Sequence, residues 1–303
     1  MICESAWAKV NLFLHVGDKR PDGFHPLQSL AVFAQIGDAL SFAPACGLSF
    51  SLDGPFAPSL AGEGDNLVLR AAGALRPDPR AGGAAITLTK KLPVASGIGG
   101  GSADAAATLR GLRALWNLPL DDSKLCEIGA GLGSDVSVCV ASAPAFLEGR
   151  GEILHPLDCL PRLPMLLVNP GVGVPTKDVF AALQNRSGVE LALPQRRFAD
   201  TADLLRFLET TRNDLEAPAR ILQPVIGKVL GALAALPGAL LTRMSGSGAT
   251  CFSIFADDAG CARAAETLRA ANPGWWVETT FVPELGLVHE EEGQDIGPTS
   301  DGL

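Results

Sequence analysis

The run Pro93-Val94-Ala95-Ser96-Gly97-Ile98-Gly99-Gly100-Gly101-Ser102-Ala103-Asp104 holds four glycines in twelve residues. It follows an alternating stretch, Ala84–Leu92, in which Ile86, Leu88 and Lys90 share one face, and it precedes an alanine-rich helical stretch, Ala103–Trp116. Glycine lets the backbone take positive φ and lets a bulky anion reach its N–H groups. The start of a helix adds unsatisfied N–H groups and a positive dipole end. Ser102 is placed to cap that helix, or to offer its hydroxyl to a phosphate or a Mg²⁺ ion. A strand–glycine loop–helix of this kind suits the phosphates of a nucleotide.

Better-known loops fail on spacing. A Walker A loop ends in Gly-Lys-Ser/Thr, whereas Gly101 runs straight into Ser102. A dinucleotide fingerprint counted from Gly97 needs glycine where Ser102 stands, which argues against a dinucleotide-dependent oxidoreductase. Neither His-Arg-Asp nor Asp-Phe-Gly occurs, so a eukaryotic-type protein kinase is excluded.

The elements that must hold this loop follow from periodicity. Ser5–Val16 reads as a strand, with Ala6, Ala8, Val10, Leu12, Leu14 and Val16 on one face and Trp7, Lys9, Asn11, Phe13 and His15 on the other. That second face is either a solvated edge or a polar site. Arg20–Leu27 is turn-rich. Strands are expected at Ser29–Gln35, Asp38–Phe42 and Leu48–Leu52, and helices at Asn66–Leu75 and near Asp121–Gly131. Ala145–Leu157 reads as a hairpin. Prolines 156, 161 and 164 mark a boundary near Leu157–Leu163. Beyond it come a strand at Met165–Val168, helical patterns at Thr176–Leu183, Ala202–Thr210 and Ala219–Ala235, and a strand at Ala239–Met244 ending at Ser245-Gly246-Ser247-Gly248. A strand, helix and strand at Ala249–Phe255, Asp257–Ala271 and Trp275–Val282 close the pattern. The expected division is a nucleotide-binding domain at 1–158, an α+β domain at 159–288 and a disordered acidic tail at 289–303.

A chain of 303 residues, 47% hydrophobic and 19% charged, has material for two packed domains and does not read as disordered. Its net charge of −9 argues against a nucleic-acid partner and against anionic membrane surfaces, but not against a nucleotide held by local cations. Seven scattered cysteines without a CxxC read as reduced, mostly buried thiols in the cytoplasm, with no zinc site. Met1–Val16 carries Glu4 and Lys9 and does not read as a secretory signal, and no apolar run is long enough to span a bilayer.

The glycine loop resembles that of the GHMP kinase superfamily, Pro-x-x-x-Gly-Leu-Gly-Ser/Gly-Ser-Ser/Ala, with Ile98 where leucine is usual. The likeness extends in order through Ala8–Leu14, Arg20–Leu27, Gly133–Val136, Asn169–Gly171 with Thr176 and Phe180, Asn213–Glu216, and Ser245–Gly248. Lys9 with Asn11, and Phe24 with His25, are similar to the branch of the family that acts on 4-diphosphocytidyl-2-C-methylerythritol. The resemblance implies transfer of the ATP γ-phosphoryl group to the 2-hydroxyl of that acceptor, giving the 2-phosphate and ADP, in the non-mevalonate route to isoprenoid precursors. It implies an α+β, two-domain GHMP kinase fold, the N-terminal half like ribosomal protein S5 domain 2 and the C-terminal half ferredoxin-like. ATP and Mg²⁺ are the expected cofactors, and Ser102 is the expected metal residue. The partner is a small molecule with a cytidine diphosphate moiety, and there is room for a weak homodimer.

The resemblance also assigns residues. Lys9 and Asp135 are the catalytic pair, with Asp135 facing the acceptor hydroxyl; plainer roles are a surface lysine and a helix N-cap. Pro93, Val94, Ala95, Ser96, Gly97, Ile98, Gly99, Gly100, Gly101, Ser102 and Ala103 bind ATP. Asn11, Phe24, His25, Thr176 and Phe180 bind the acceptor: Phe24 and Phe180 offer faces to cytosine and His25 a hydrogen bond to its edge. The plainer roles are core packing for Phe180, a locally bonded turn residue for His25 and a helix cap for Thr176. Gly246, Ser247 and Gly248 form a late turn over the cleft. The family often has tyrosine where Phe24 stands, so a phenolic contact is lost while stacking is kept; Ser137 replaces a common proline. Two other readings stay open: a family member acting on homoserine, mevalonate or a sugar, and a non-catalytic nucleotide-binding regulator. Phe24, His25 and Phe180 speak against the first, and retention of Lys9 with Asp135 against the second.

Overall fold

The first strand, β1 (Ile2–Val16), runs antiparallel to β2 (Leu27–Ala45) over nearly its whole length. The two shorter strands expected between Ser29 and Phe42 are one 19-residue strand, bent where Trp7 pairs with Gly37 but Ala8 pairs with Ala34. A second irregularity lies on β1 itself. Asn11 pairs with Ala31 and Phe13 with Leu30, so Leu12 is an extra residue. One extra residue moves every later side chain to the opposite face. The strict alternation expected for β1 therefore breaks at Leu12: Phe13 joins Ala8 and Val10 in an apolar layer, while Leu14 lines a cleft with Lys9 and Asn11. The solvated-edge alternative also falls, since Ala8 to Val16 is buried throughout.

The structure is a computed structural model that describes residues 1–21, 25–60, 66–76, 78, 82–183 and 197–286. Phe24 and the expected tail at 289–303 lie outside the described residues. β3 (Leu48–Asp53) pairs in parallel with β4 (Gly83–Thr89), and β4 and the hairpin β5 (Ala145–Glu148) and β6 (Ile153–Pro156) complete the first sheet around β2, in the order β3-β4-β2-β5-β6 with β1 beside β2. Helices α1 (Leu67–Leu75), α2 (Gly100–Trp116), α3 (Asp122–Leu132) and α4 (Val136–Ala141) cover one face. The small side chains of α2, Ala103 and Ala105 to Ala107, let it lie close on β1 and β2. At Gly111 the Phe42 ring takes the place of a side chain: a Cβ there would stand 2.2 Å from Phe42 Cε2.

The second sheet holds β7 (Leu163–Asn169), β8 (Ala239–Met244), β9 (Cys251–Phe255) and β10 (Trp276–Val282) in the antiparallel order β10-β7-β9-β8. α5 (Thr176–Ala181), α6 (Thr201–Glu209), α7 (Glu216–Leu222), α8 (Val225–Ala234) and α9 (Asp258–Ala271) connect and flank it. The single helix expected over Ala219–Ala235 is two helices. Gln223 precedes Pro224, whose ring disfavours helical geometry in the residue before it, and its backbone leaves the helix at φ −134°, ψ 86°. Between the sheets lies a shared apolar layer, with Val10, Phe13, Ile98 and Phe146 from one side and Met165, Leu167 and Phe252 from the other. No helix among the described residues is long and apolar enough to cross a membrane. All seven cysteines are free thiols; four are buried, and Cys3 and Cys46 are exposed.

Gly111→Ala forces its methyl group against the Phe42 ring, and overpacking of this kind costs about 1–3 kcal/mol. Urea unfolding monitored by circular dichroism should show the midpoint falling with an unchanged slope.

Candidate active site

Two glycine-rich turns clasp each other beside β1. Gly97 has φ +76°, and a Cβ there would lie 2.5 Å from Ser245 O and 2.7 Å from Gly248 N, so only glycine fits. The turns are tied by Ser245 Oγ, which donates to Gly97 O (3.0 Å) and accepts from Asn11 N (3.1 Å), and by Thr250 N, which donates to Ser96 O (3.0 Å). Asn213 Nδ2 donates to Met244 O and Gly246 O, both at 2.8 Å, and fixes the late turn from behind. Lys9 N donates to Ile98 O (3.0 Å), which sets the loop directly on β1.

The helix begins three residues before the expected Ala103. Its N-cap is Gly99, in the left-handed conformation and without a side-chain cap. Ser102 therefore sits inside the first turn and does not cap it; its hydroxyl and the N–H groups of Gly100 to Ser102 are at the same helix end. The turn borders one cleft of about 520 Å³. Of the expected loop residues, Pro93 to Gly97 and Gly99 to Ser102 line it, whereas Ile98 and Ala103 turn their side chains into the core.

Lys9 Nζ and Asp135 Oδ2 meet at 2.7 Å in this cleft. The lysine side chain is 5% exposed and the carboxylate 35%, so the carboxylate is the member open to a ligand. Asp135 does occupy the N-cap position of α4, but its side chain makes no capping bond and is committed to Lys9. Asn11 is held by Ser29: Asn11 Nδ2 donates to Ser29 Oγ (2.7 Å), which donates to Phe13 O (2.5 Å). On the far side, Thr176 is the first residue of α5, after the N-cap Pro175; instead of capping, its hydroxyl shares a hydrogen bond with Ser247 (2.9 Å). Phe180 lines the cleft as well, along with Gly246 and Ser247, while Gly248 lies behind the turn. His25 does not line it; its ring centroid is 5.8 Å from that of Phe180, and its Nδ1 is bonded to Gly17 O (3.0 Å). A carbonyl partner fixes the proton on Nδ1 and leaves Nε2 as an acceptor in the neutral ring.

The sequence reading missed a buried cluster under the loop. Lys90 Nζ lies 2.5 Å from Asp38 Oδ2 and 2.6 Å from Asp104 Oδ2. Asp38 Oδ1 also accepts from Lys91 N and Leu92 N. Burial alone would push the Lys90 pKa down; the two carboxylates outweigh it and hold it above the ordinary lysine value. Asp104 is pushed up to about 7 by burial, opposed by Lys90 and reinforced by Asp38, and its Oδ1 has no hydrogen-bond partner among the described residues. A signal was available: a lysine sharing the inward face of Ile86 and Leu88 requires a buried carboxylate, and Asp104 is the lone charge among alanines. Asn66 was missed too. It caps α1 by accepting from Leu69 N (2.9 Å), and it lines the cleft.

Comparison with known proteins bears on this arrangement. A family model described as GHMP kinases N terminal domain matches residues 66–149, and one described as GHMP kinases C terminal matches residues 189–274, together more than half of the chain. The chain belongs to the GHMP kinase family. Among curated relatives of this GHMP kinase, a 4-diphosphocytidyl-2-C-methyl-D-erythritol kinase of Cereibacter sphaeroides is 52% identical over 90% of this chain and 96% of its own. One from Rhodopseudomonas palustris bearing the same name is 48% identical over 91% and 96%. A crystal structure of 4-(cytidine 5'-diphospho)-2C-methyl-D-erythritol kinase superposes with a TM-score of 0.75 at 33% identity, covering 93% of this chain and all of that one. A homoserine kinase from Cytophaga hutchinsonii, at TM-score 0.66 and 18% identity over 94% and 95%, shares the fold.

The raised pKa of Asp104 has a sign. Between the ordinary carboxylate value and about 7, the folded GHMP kinase binds a proton at Asp104 that the unfolded chain does not, so this group's contribution to stability falls as pH rises through that window and is level above it. The stability of wild type minus that of Asp104→Asn should decline from pH 5 to pH 7 and then flatten, read by urea unfolding at fixed ionic strength. A difference that grows with pH would contradict the assignment.

Proposed function

We propose that this kinase transfers the γ-phosphoryl group of ATP to the 2-hydroxyl of 4-diphosphocytidyl-2-C-methyl-D-erythritol, giving the 2-phosphate and ADP. One observation carries the mechanism: the Lys9–Asp135 pair, 2.7 Å apart, lies in the same cleft as the first turn of α2. Helix-end N–H groups suit the phosphates, and the neighbouring lysine suits the γ-phosphoryl group. Phosphoryl transfer asks mainly for alignment and compensation of charge. The acceptor hydroxyl oxygen bonds to the γ-phosphorus as the bridging bond to ADP breaks. Asp135 takes or orients the hydroxyl proton, and Lys9 steadies negative charge.

Ser102 is the residue that would hold a Mg²⁺ ion. Among the described residues no three His, Cys, Asp or Glu side chains converge to hold a metal unaided, which suits a cation carried in on the phosphates. When bound there, the ion neutralises phosphate charge. Acceptor choice is supported by relatives that carry this name at about half identity, and by the aromatic edge of the cleft. Phe180 offers a face for a flat base. A lone pair on His25 Nε2 is suited to an exocyclic amine such as that of cytosine. The unpaired thiols suit the cytoplasm.

The pure protein, with ATP, Mg²⁺ and a panel of acceptors that includes homoserine, mevalonate and a sugar, should release ADP only with the cytidine diphosphate compound. Release with another acceptor alone reassigns the substrate. Asp135→Asn should lower kcat by roughly 10²–10⁴-fold, the usual worth of a general base, while ATP binding measured by calorimetry persists. Near-normal turnover would remove Asp135 from the reaction.

A further inference from the structure

Arg243 lies on β8, buried, with no part in the cleft. Its four hydrogen bonds among the described residues all go to neutral oxygens. Nη1 donates to Leu12 O (2.7 Å) and Thr211 Oγ1 (3.0 Å); Nη2 donates to Leu208 O (3.1 Å) and Thr211 O (2.9 Å). Burial lowers its pKa to about 10, with Glu216 drawing it the other way, so it is cationic at neutral pH. A buried cation bound only by neutral oxygens is costly for stability alone. Its first partner lies on β1.

Leu12 is the extra residue of β1. On the side of β1 away from β2, the outward N–H groups belong to Lys9 and Asn11 before Leu12, and to Leu14 and Val16 after it. The parity changes at Leu12. Ile98 O, Ser245 Oγ, Arg212 O and Asp214 Oδ2 take those four N–H groups, and Arg243 takes the Leu12 carbonyl. A regular strand would bring Phe13, instead of Leu14, to the face of Lys9 and Asn11; a slip of one residue would turn that pair toward the apolar layer of Ala8 and Val10.

We propose that Arg243 is a positioning residue for phosphoryl transfer: by holding the Leu12 carbonyl it fixes the bulge that aims Lys9 and Asn11 into the cleft. This rests on the reading of Lys9 and Asp135 as the reacting pair. The guanidinium plane joins Leu12 to the chain at 208–211, and a lysine cannot span those oxygens.

The test is a kinetic cycle of Arg243→Lys, Lys9→Ala and the double variant, with rates taken per folded molecule from the amplitude of the unfolding transition. Arg243→Lys should lower kcat by about 10- to 100-fold, the scale of a misplacement near 1 Å, and leave the KM for ATP within about twofold. With Lys9 already removed, the same change should cost at least about threefold less than in the wild-type background. Unchanged kcat, or equal losses in both backgrounds, overturns the proposal. If neither Arg243→Lys nor Arg243→Gln folds, the residue serves the fold alone and the proposal is likewise overturned. A wild-type protein that uses another acceptor of the panel defeats the substrate reading only, and the cycle is read on that acceptor; one that phosphorylates none defeats the proposed function.

Discussion

A cation removed from water has to find its counter-charge or a ring of oxygens nearby, and the cleft is organised by three that do so differently. Lys9 has one half-open carboxylate, Lys90 has two buried ones, and Arg243 has, among the described residues, hydrogen bonds to neutral oxygens only. Lys9 and Lys90 flank the N-terminus of α2: its Gly99 would place a Cβ 3.2 Å from Lys9 Cβ, and its Gly100 one 3.2 Å from Lys90 Nζ. The positive end of the helix stands between the two ammonium groups, whose charge is met by Asp135, Asp38 and Asp104; what the arrangement still offers an anion is the row of helix-end N–H groups. The difference between the two lysines is chemical. The partner of Lys9 remains 35% exposed and can meet a ligand, whereas Lys90 and its two carboxylates are almost wholly buried at the wall of the cleft and hold the strand, the loop and α2 together.

The clasp between the two glycine turns makes the cleft a joint product of both sheets. Ser245 bonds one turn to β1 and to the other turn at once, and Asn213 braces it from the loop that also pairs with Leu14. The shared apolar layer beneath leaves the sheets little freedom to slide. In the proposed reaction the ammonium comes from one end of the sequence and the phosphate cradle from its middle, so alignment depends on this packing and not on any local segment.

Much of this was legible because it is local. The glycine loop announces itself by composition, and most helices and strands by period. Most of what failed was set by tertiary contact. The face of Phe13 depended on one extra residue, which alternation cannot reveal because each strand half is regular by itself. The cap assigned to Ser102 failed because glycine can begin a helix without a side-chain bond. The inward-facing Lys90 signalled that a buried carboxylate was needed, but the pairing itself joins positions 52 and 14 residues apart, Asp38 and Asp104, and only the packed fold brings them together.

The fold by itself says little about the acceptor. A homoserine kinase at 18% identity has the same architecture, so the phosphate cradle and the sheets beneath it are common ground. In the proposed function acceptor choice falls to the far wall, where Thr176 and Phe180 sit on a short helix whose first residue is pinned to Ser247. Two aromatic rings of different character meet there, one lining the cleft and one locked by Gly17 into a single tautomer. In the proposed reaction a pyrimidine would lay its flat face on the first and offer its exocyclic amine to the lone pair of the second. The pin to Ser247 also means that this wall is not independent of the phosphate side. Whatever seats itself against Phe180 is referred, through one hydroxyl pair, to the turn that clasps the glycine loop.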